Sequence, residues 1–101
     1  MHDYATALFS LQNTVALVTG ATRGIGLASV RALASAGACV ILTGLESDDP
    51  VGIAAGLADE GLAVEGCVLD VTDAAASVAL IDRIRAQHGR LDTLVCNAAV
   101  A

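Results

Sequence analysis

The segment Thr19-Gly20-Ala21-Thr22-Arg23-Gly24-Ile25-Gly26 constrains this chain more than any other, because of what flanks it. The apolar run Val15-Ala16-Leu17-Val18 before it reads as a strand, and the run from Leu27 onward reads as a helix. A strand that passes through a glycine turn into a helix leaves the first helical amides unpaired and converging on one spot. The positive end of the helix dipole lies there too, so the junction suits a diphosphate group. In Gly20-x-x-x-Gly24-x-Gly26 the first glycine permits the tight turn and the second lets the backbone approach a ligand. The third lets the helix pack closely on the strand. Glycines near a turn are by themselves only a tight loop; the strand before and the helix after make this one a cradle.

The alternation continues along the chain. Strand-like runs occupy 14–19, 39–42, 64–69 and 93–96, and helical spacing of apolar residues places helices over 24–36, 50–60 and 74–88. Ile25, Ala28, Val30, Leu33 and Ala36 mark the first helix, Ile53 and Leu57 the buried side of the second, and Val78, Ile81 and Ile84 the inward stripe of the third. Gly37, Gly61 and Gly89 stand where these helices stop, while Ser47-Asp48-Asp49-Pro50 and Thr72 or Asp73 supply starts. Residues 1–13 read as a lead-in, with Leu8, Phe9 and Leu11 available to tuck against the sheet and Asn13 turning the chain into the first strand. Residues 14–101 then form half of a nucleotide-binding domain. The pattern βαβαβαβ predicts an α/β fold, a Rossmann-like doubly wound parallel sheet that stops after its fourth strand. Right-handed crossovers set the strand order 3-2-1-4, which leaves the fourth strand as an edge.

Composition narrows the function. A chain of 101 residues that is 55% hydrophobic suits one small folded domain, and its Ala, Val and Leu suit buried parallel strands under closely packed helices. All five basic residues are arginines, at positions 23, 31, 83, 85 and 90, and the formal charge is −6. Without a basic cluster or aromatic platforms, a nucleic-acid partner is not expected. Arg83, Arg85, Arg90, Asp82 and His88 read as surface and capping groups. Cys39, Cys67 and Cys96 lack metal-ligand spacing and lie in apolar runs, so they read as reduced core thiols, and no metal site is assigned. No apolar run reaches membrane-spanning length and no basic segment opens the chain, so a cytoplasmic protein without membrane contact is expected.

Thr19 to Gly26 resembles the TGxxxGIG fingerprint of the short-chain dehydrogenase/reductase family, and two further segments agree with it. Leu69-Asp70-Val71 resembles the family's acidic residue after strand three, which implies that Asp70 lies near the adenine amino group and that Val71 adds backbone and apolar contact. The plainer reading of Asp70 is a turn carboxylate. The segment 91–99 resembles the family's strand-four signature, which usually ends Asn-Asn-Ala-Gly; here Cys96 replaces the first Asn and Ala99 the Gly. The resemblance implies that Asn97 ties neighbouring strands together beside the cofactor, with Ala98 and Ala99 next to it. The side-chain carbon of Ala99 intrudes where family members place only hydrogen. The cofactor-binding set implied is Gly20, Thr22, Arg23, Gly24, Ile25, Gly26, Gly44, Leu45, Asp70, Val71, Asn97, Ala98 and Ala99.

The end of the second strand decides between NAD and NADP, since an acidic side chain there binds the ribose hydroxyls and a basic one pairs with a 2′-phosphate. The acidic position holds Gly44 and the next one Leu45, while Arg23 offers a positive charge, which tilts the choice toward NADP. Against this stands Glu46, about twenty residues past Gly26, which favours NAD if it reaches the ribose.

The resemblance implies hydride transfer between a nicotinamide and a carbonyl or alcohol, with a Ser, a Tyr and a Lys moving the proton. In family members all three follow the fourth strand. This sequence has Tyr4 as its sole tyrosine and no lysine, so no catalytic residue is assigned. The likeness covers nearly all of residues 8–101 but only the N-terminal half of a family member. The expectation is therefore the cofactor-binding part of an oxidoreductase, inactive alone, that meets a small-molecule substrate only when the other half is supplied. The alternative is a non-catalytic dinucleotide-binding or complementing subunit. An open sheet edge favours self-association or a complementing chain in either case. A different nucleotide-binding α/β domain sharing only the glycine turn is disfavoured by Asp70 and Asn97.

Overall fold

The computed structural model describes residues 10–97. Strands β1 (Val15–Thr19), β2 (Cys39–Gly44), β3 (Val64–Val68) and β4 (Thr93–Cys96) form one parallel sheet in the order β3-β2-β1-β4. Helices α1 (Gly24–Ser35), α2 (Pro50–Asp59) and α3 (Ala74–His88) connect them. The predicted order and the doubly wound layout are both present. Strand β1 is buried along its whole length, which is why its sequence is continuously apolar instead of alternating. Successive residues still serve opposite layers. Ala16, Val18, Val40 and Leu42 pack with Val30 and Ala34 of α1 and with Ala54 and Leu57 of α2. Val15, Leu17 and Ile41 pack with Leu80 and Ile84 of α3 on the other face.

Helix starts differ in a way that matters for function. Asp49 caps α2 by accepting from the Gly52 amide, and Asp73, not Thr72, caps α3 by accepting from the Ala76 amide. At α1 the cap position is Arg23, which makes no side-chain cap bond, and the first turn carries no acid. Between β2 and α2 a 3-10 turn, Glu46–Asp48, appears where the sequence showed only a polar cluster.

Several apolar residues lie elsewhere than the spacing predicts. Val78 is 60% exposed, and the inward stripe of α3 is Leu80 and Ile84, with Ala76 and Ile81 beside it. Val78 sits two positions from Leu80, about 200° around a helix of 3.6 residues per turn, so the two cannot share a face. In α1 the buried line is Gly26, Val30 and Ala34, and Ile25 is 78% exposed. Cys39 and Cys67 are half-buried and Cys96 is exposed, so the core reading of the thiols fails for Cys96, which lies on edge strand β4. Leu11 packs as expected, its amide donating to the Ala36 carbonyl at 2.8 Å; Leu8 and Phe9 lie outside the described residues.

Asp92 clamps β4 to β1. Its carboxylate accepts from the Val15 amide at 2.8 Å and from Arg90, and its own amide donates to the Val15 carbonyl at 2.9 Å. The Arg90 bonds, helped by the Val15 amide, hold the Asp92 carboxyl below its usual range. A carboxyl depressed in the folded state stabilises the fold fully above its unfolded pKa of about 3.9, and that contribution is lost as pH falls through the folded value. Urea unfolding between pH 6 and pH 3 is expected to show stability falling at the acid end. Asp92→Asn should flatten part of that fall, and an unchanged acid slope would count against the clamp.

Candidate functional site

The C-terminal ends of the strands carry the site because the topology opens there. From β1 the chain runs to β2 on one side, and β4 lies on the other, so the loops after β1 and β4 diverge and leave a crevice. That crevice is a cavity of about 650 Å³. Three loops meet in it: Gly20, Thr22, Arg23, Gly24 and Ile25 after β1; Gly44, Leu45 and Asp48 after β2; Leu69, Asp70, Val71 and Thr72 after β3. Asn97, after β4, completes the lining.

Of the residues singled out in the sequence, ten lie on this cavity. Gly26 and Glu46 are not on its wall, and Ala98 and Ala99 fall outside the described residues. Leu69, Thr72 and Asp48 were missed. The first two are neighbours of Asp70, whereas Asp48 arrives by way of a 3-10 turn that carries no periodic signal.

Gly24 adopts φ +59°, a left-handed conformation, and a side-chain carbon there would meet nothing within 4 Å, so the turn faces open space. Gly26 is needed for the opposite reason. A Cβ on it would overlap the Gly20 carbonyl oxygen and stand 2.7 Å from Asn97 Nδ2. Asn97 locks the turn in place: Nδ2 donates to the Gly20 carbonyl at 3.1 Å and its amide donates to Thr19 Oγ1 at 3.3 Å. The sequence resemblance implied a strand-tying asparagine, and these two bonds join the chain after β4 to the end of β1.

Asp70 is both a turn carboxylate and a wall residue. Its Oδ1 accepts from Thr72 Oγ1 at 2.6 Å and from the Thr72 amide at 2.9 Å, and these bonds hold its carboxyl below the usual range. Arg31, Arg83 and Arg90 are engaged by Glu60, Glu65 and Asp92. Arg23 has no ion-pair partner among the described residues, and it stands on the cavity wall beside the uncapped start of α1.

A family model described as short chain dehydrogenase matches residues 14–101. The chain belongs to the short chain dehydrogenase family. Gluconate 5-dehydrogenase of Gluconobacter oxydans is 41% identical to this family member over 92% of the chain, and D-threitol dehydrogenase of Mycolicibacterium smegmatis is 42% identical over the same share. The chain spans 36% of the length of each of those relatives. Among solved structures, a gluconate 5-dehydrogenase from Burkholderia cenocepacia in complex with NADP and tartrate superposes with a TM-score of 0.86 at 38% identity. That match covers 96% of this chain and 38% of the other. The family resemblance read from the glycine turn, Asp70 and Asn97 therefore holds, and so does the Rossmann-like strand order. The relatives are oxidoreductases aligned over their N-terminal portion, in a family typically bound to NAD(P). Among the described residues no helix of this dehydrogenase-family chain is long and apolar enough to cross a membrane.

Proposed function

We propose that residues 14–101 are the dinucleotide-binding part of an NAD(P)(H)-dependent oxidoreductase acting on a carbonyl or alcohol substrate. The observation that carries this is the uncapped N-terminus of α1 opening on the cavity, while α2 and α3 are each capped by an aspartate. Free amides and a dipole end without an internal acceptor fit the diphosphate of a dinucleotide. When bound, the cofactor would give a hydride to a carbonyl carbon or take one from an alcohol carbon. Gly20, Thr22, Gly24 and Ile25 surround its diphosphate, and Gly26 lets α1 approach closely enough for that. Gly44 and Leu45 flank the adenosine ribose, and Asp70 and Val71 flank the adenine. Asn97 holds the rim beside β4, and Ala98 and Ala99 complete the proposed cofactor-binding set. Arg23 supplies positive charge for a 2′-phosphate, which favours NADP(H) over NAD(H). With no lysine and no tyrosine but Tyr4, these residues bind cofactor without moving the substrate's proton.

A second reading, a binding subunit that works by complementing another polypeptide, is favoured by β4. Its outer edge is unpaired among the described residues, Leu94 is half exposed, and a smaller cavity of about 220 Å³ opens between Leu17, Leu69, Ile81 and Leu94. Self-association or a complementing chain covers this face on either reading. Three free thiols suit a reducing, cytoplasmic setting.

Titration of the chain with NADPH, followed by nucleotide fluorescence alongside light scattering, tests both. Binding in the range of about 1 μM to 1 mM is expected, since cofactor sites work near physiological concentrations. A monodisperse assembly that binds favours the complementing subunit; absence of binding counts against the cofactor site.

A further inference from the structure

We infer that Asp48 is a specificity-determining residue of this site, a carboxylate that opposes a 2′-phosphate on the adenosine ribose and accepts hydrogen bonds from a free 2′-hydroxyl. Resting on the dinucleotide reading above, it names the group that Arg23 is set against.

The strand end itself has no room for the usual acid. A side-chain carbon on Gly44 would come within 2.6 Å of Thr22 Cγ2, and Thr22 is buried and β-branched, so any residue larger than glycine requires that side chain to turn aside. The backbone instead brings an acid back to the same place. The Asp48 amide donates to the Leu45 carbonyl at 2.9 Å and the Asp49 amide to the Glu46 carbonyl at 3.1 Å, closing the 3-10 turn. Asp49 then takes φ +52° and caps α2, which fixes where the turn ends. The outcome is that Asp48 Cβ lies 3.7 Å from the point where a Gly44 side chain would begin, and Asp48 lines the cavity. Glu46, in the same turn, does not line it.

Charge gives Asp48 its effect. A phosphate monoester carries about −1.5 to −2 at neutral pH, so it gains from Arg23 and is repelled by Asp48, whereas a hydroxyl pair loses nothing beside a carboxylate. The two side chains therefore pull the cofactor ratio in opposite directions.

The test uses the 101-residue chain and isothermal titration with 2′,5′-ADP and 5′-AMP, then NADPH and NADH. Asp48→Asn is expected to raise the affinity for the 2′-phosphorylated ligand relative to its partner by roughly tenfold, about 1.4 kcal/mol. Asp48→Ser should shift the ratio the same way, and Arg23→Gln should lower it. Glu46→Gln, with equal loss of net charge, should leave it within about twofold, since an exposed charge outside the cavity is screened. If the Asp48 variants bind both ligands with the wild-type ratio, or if Glu46→Gln shifts it as much, the assignment of Asp48 is overturned while the cofactor site stands. Failure of the wild-type chain to bind any of the four ligands overturns the cofactor reading and this inference with it.

Discussion

Gly26→Ala is expected to unfold the nucleotide turn, lowering stability by about 2–3 kcal/mol and abolishing dinucleotide binding. The new methyl group has no direction in which to relax. It overlaps the Gly20 carbonyl oxygen, approaches Ala21 Cα at 2.9 Å and presses on Asn97 Nδ2, so two of its three nearest neighbours are backbone. Relief requires α1 to lift from β1, which breaks the bond from Asn97 to Gly20 and moves the free amides away from the crevice. For a domain of this size the stability loss corresponds to a melting temperature roughly 10–20 °C lower. Gly56→Ala is the matching control. That glycine lies in α2 with nothing within 4 Å of an added carbon, and the change should stabilise the helix by roughly 0.5–1 kcal/mol. Equal melting temperatures for the two variants would refute the close approach of α1 to β1.

Ile84→Ala should cost about 3–4 kcal/mol, while Val78→Ala on the same helix should cost less than about 0.5 kcal/mol. Ile84 is fully buried against Val15, Leu17, Ile41 and Leu80, and its removal leaves a void between α3 and the sheet. Val78 faces away from that core and has little to lose. Chemical denaturation of the two variants settles which stripe of α3 packs inward, and similar losses would contradict the observed orientation. Because small domains have only about 5–15 kcal/mol of total stability, Ile84→Ala is also expected to raise the population of unfolded chain markedly.

Those two residues show what the sequence conveyed and what it did not. Strand order, helix number and the glycine turn were legible because each rests on a local signal: continuous apolar runs for β1 and β2, glycine stops at 37, 61 and 89, and capping acids before α2 and α3. The facing of α3 was only partly legible, since alanines at 74–76 and 79 give its stripe little contrast, and the spacing predicts Val78 as inward where Leu80 is. Exposure of Cys96 follows from its place on edge strand β4, which the predicted strand order implied and the apolar run around the thiol obscured. In the site, Gly20 to Gly24, Asp70 and Asn97 were readable from spacing and resemblance. Asp48 was not, because its approach to Gly44 depends on a left-handed Asp49 and a 3-10 turn, and Glu46 was equally plausible by distance along the chain.

Leaving the start of α1 without a side-chain cap has a consequence for the life of the protein in a cell. On the proposed reading the missing acceptor comes from solution, so the nucleotide finishes the helix and only the folded chain can hold it. Saturation at a hundred times the dissociation constant then adds about 2.7 kcal/mol to the folded state. Survival against proteolysis would thus follow the supply of the redox carrier, linking the abundance of this protein to the metabolic state around it.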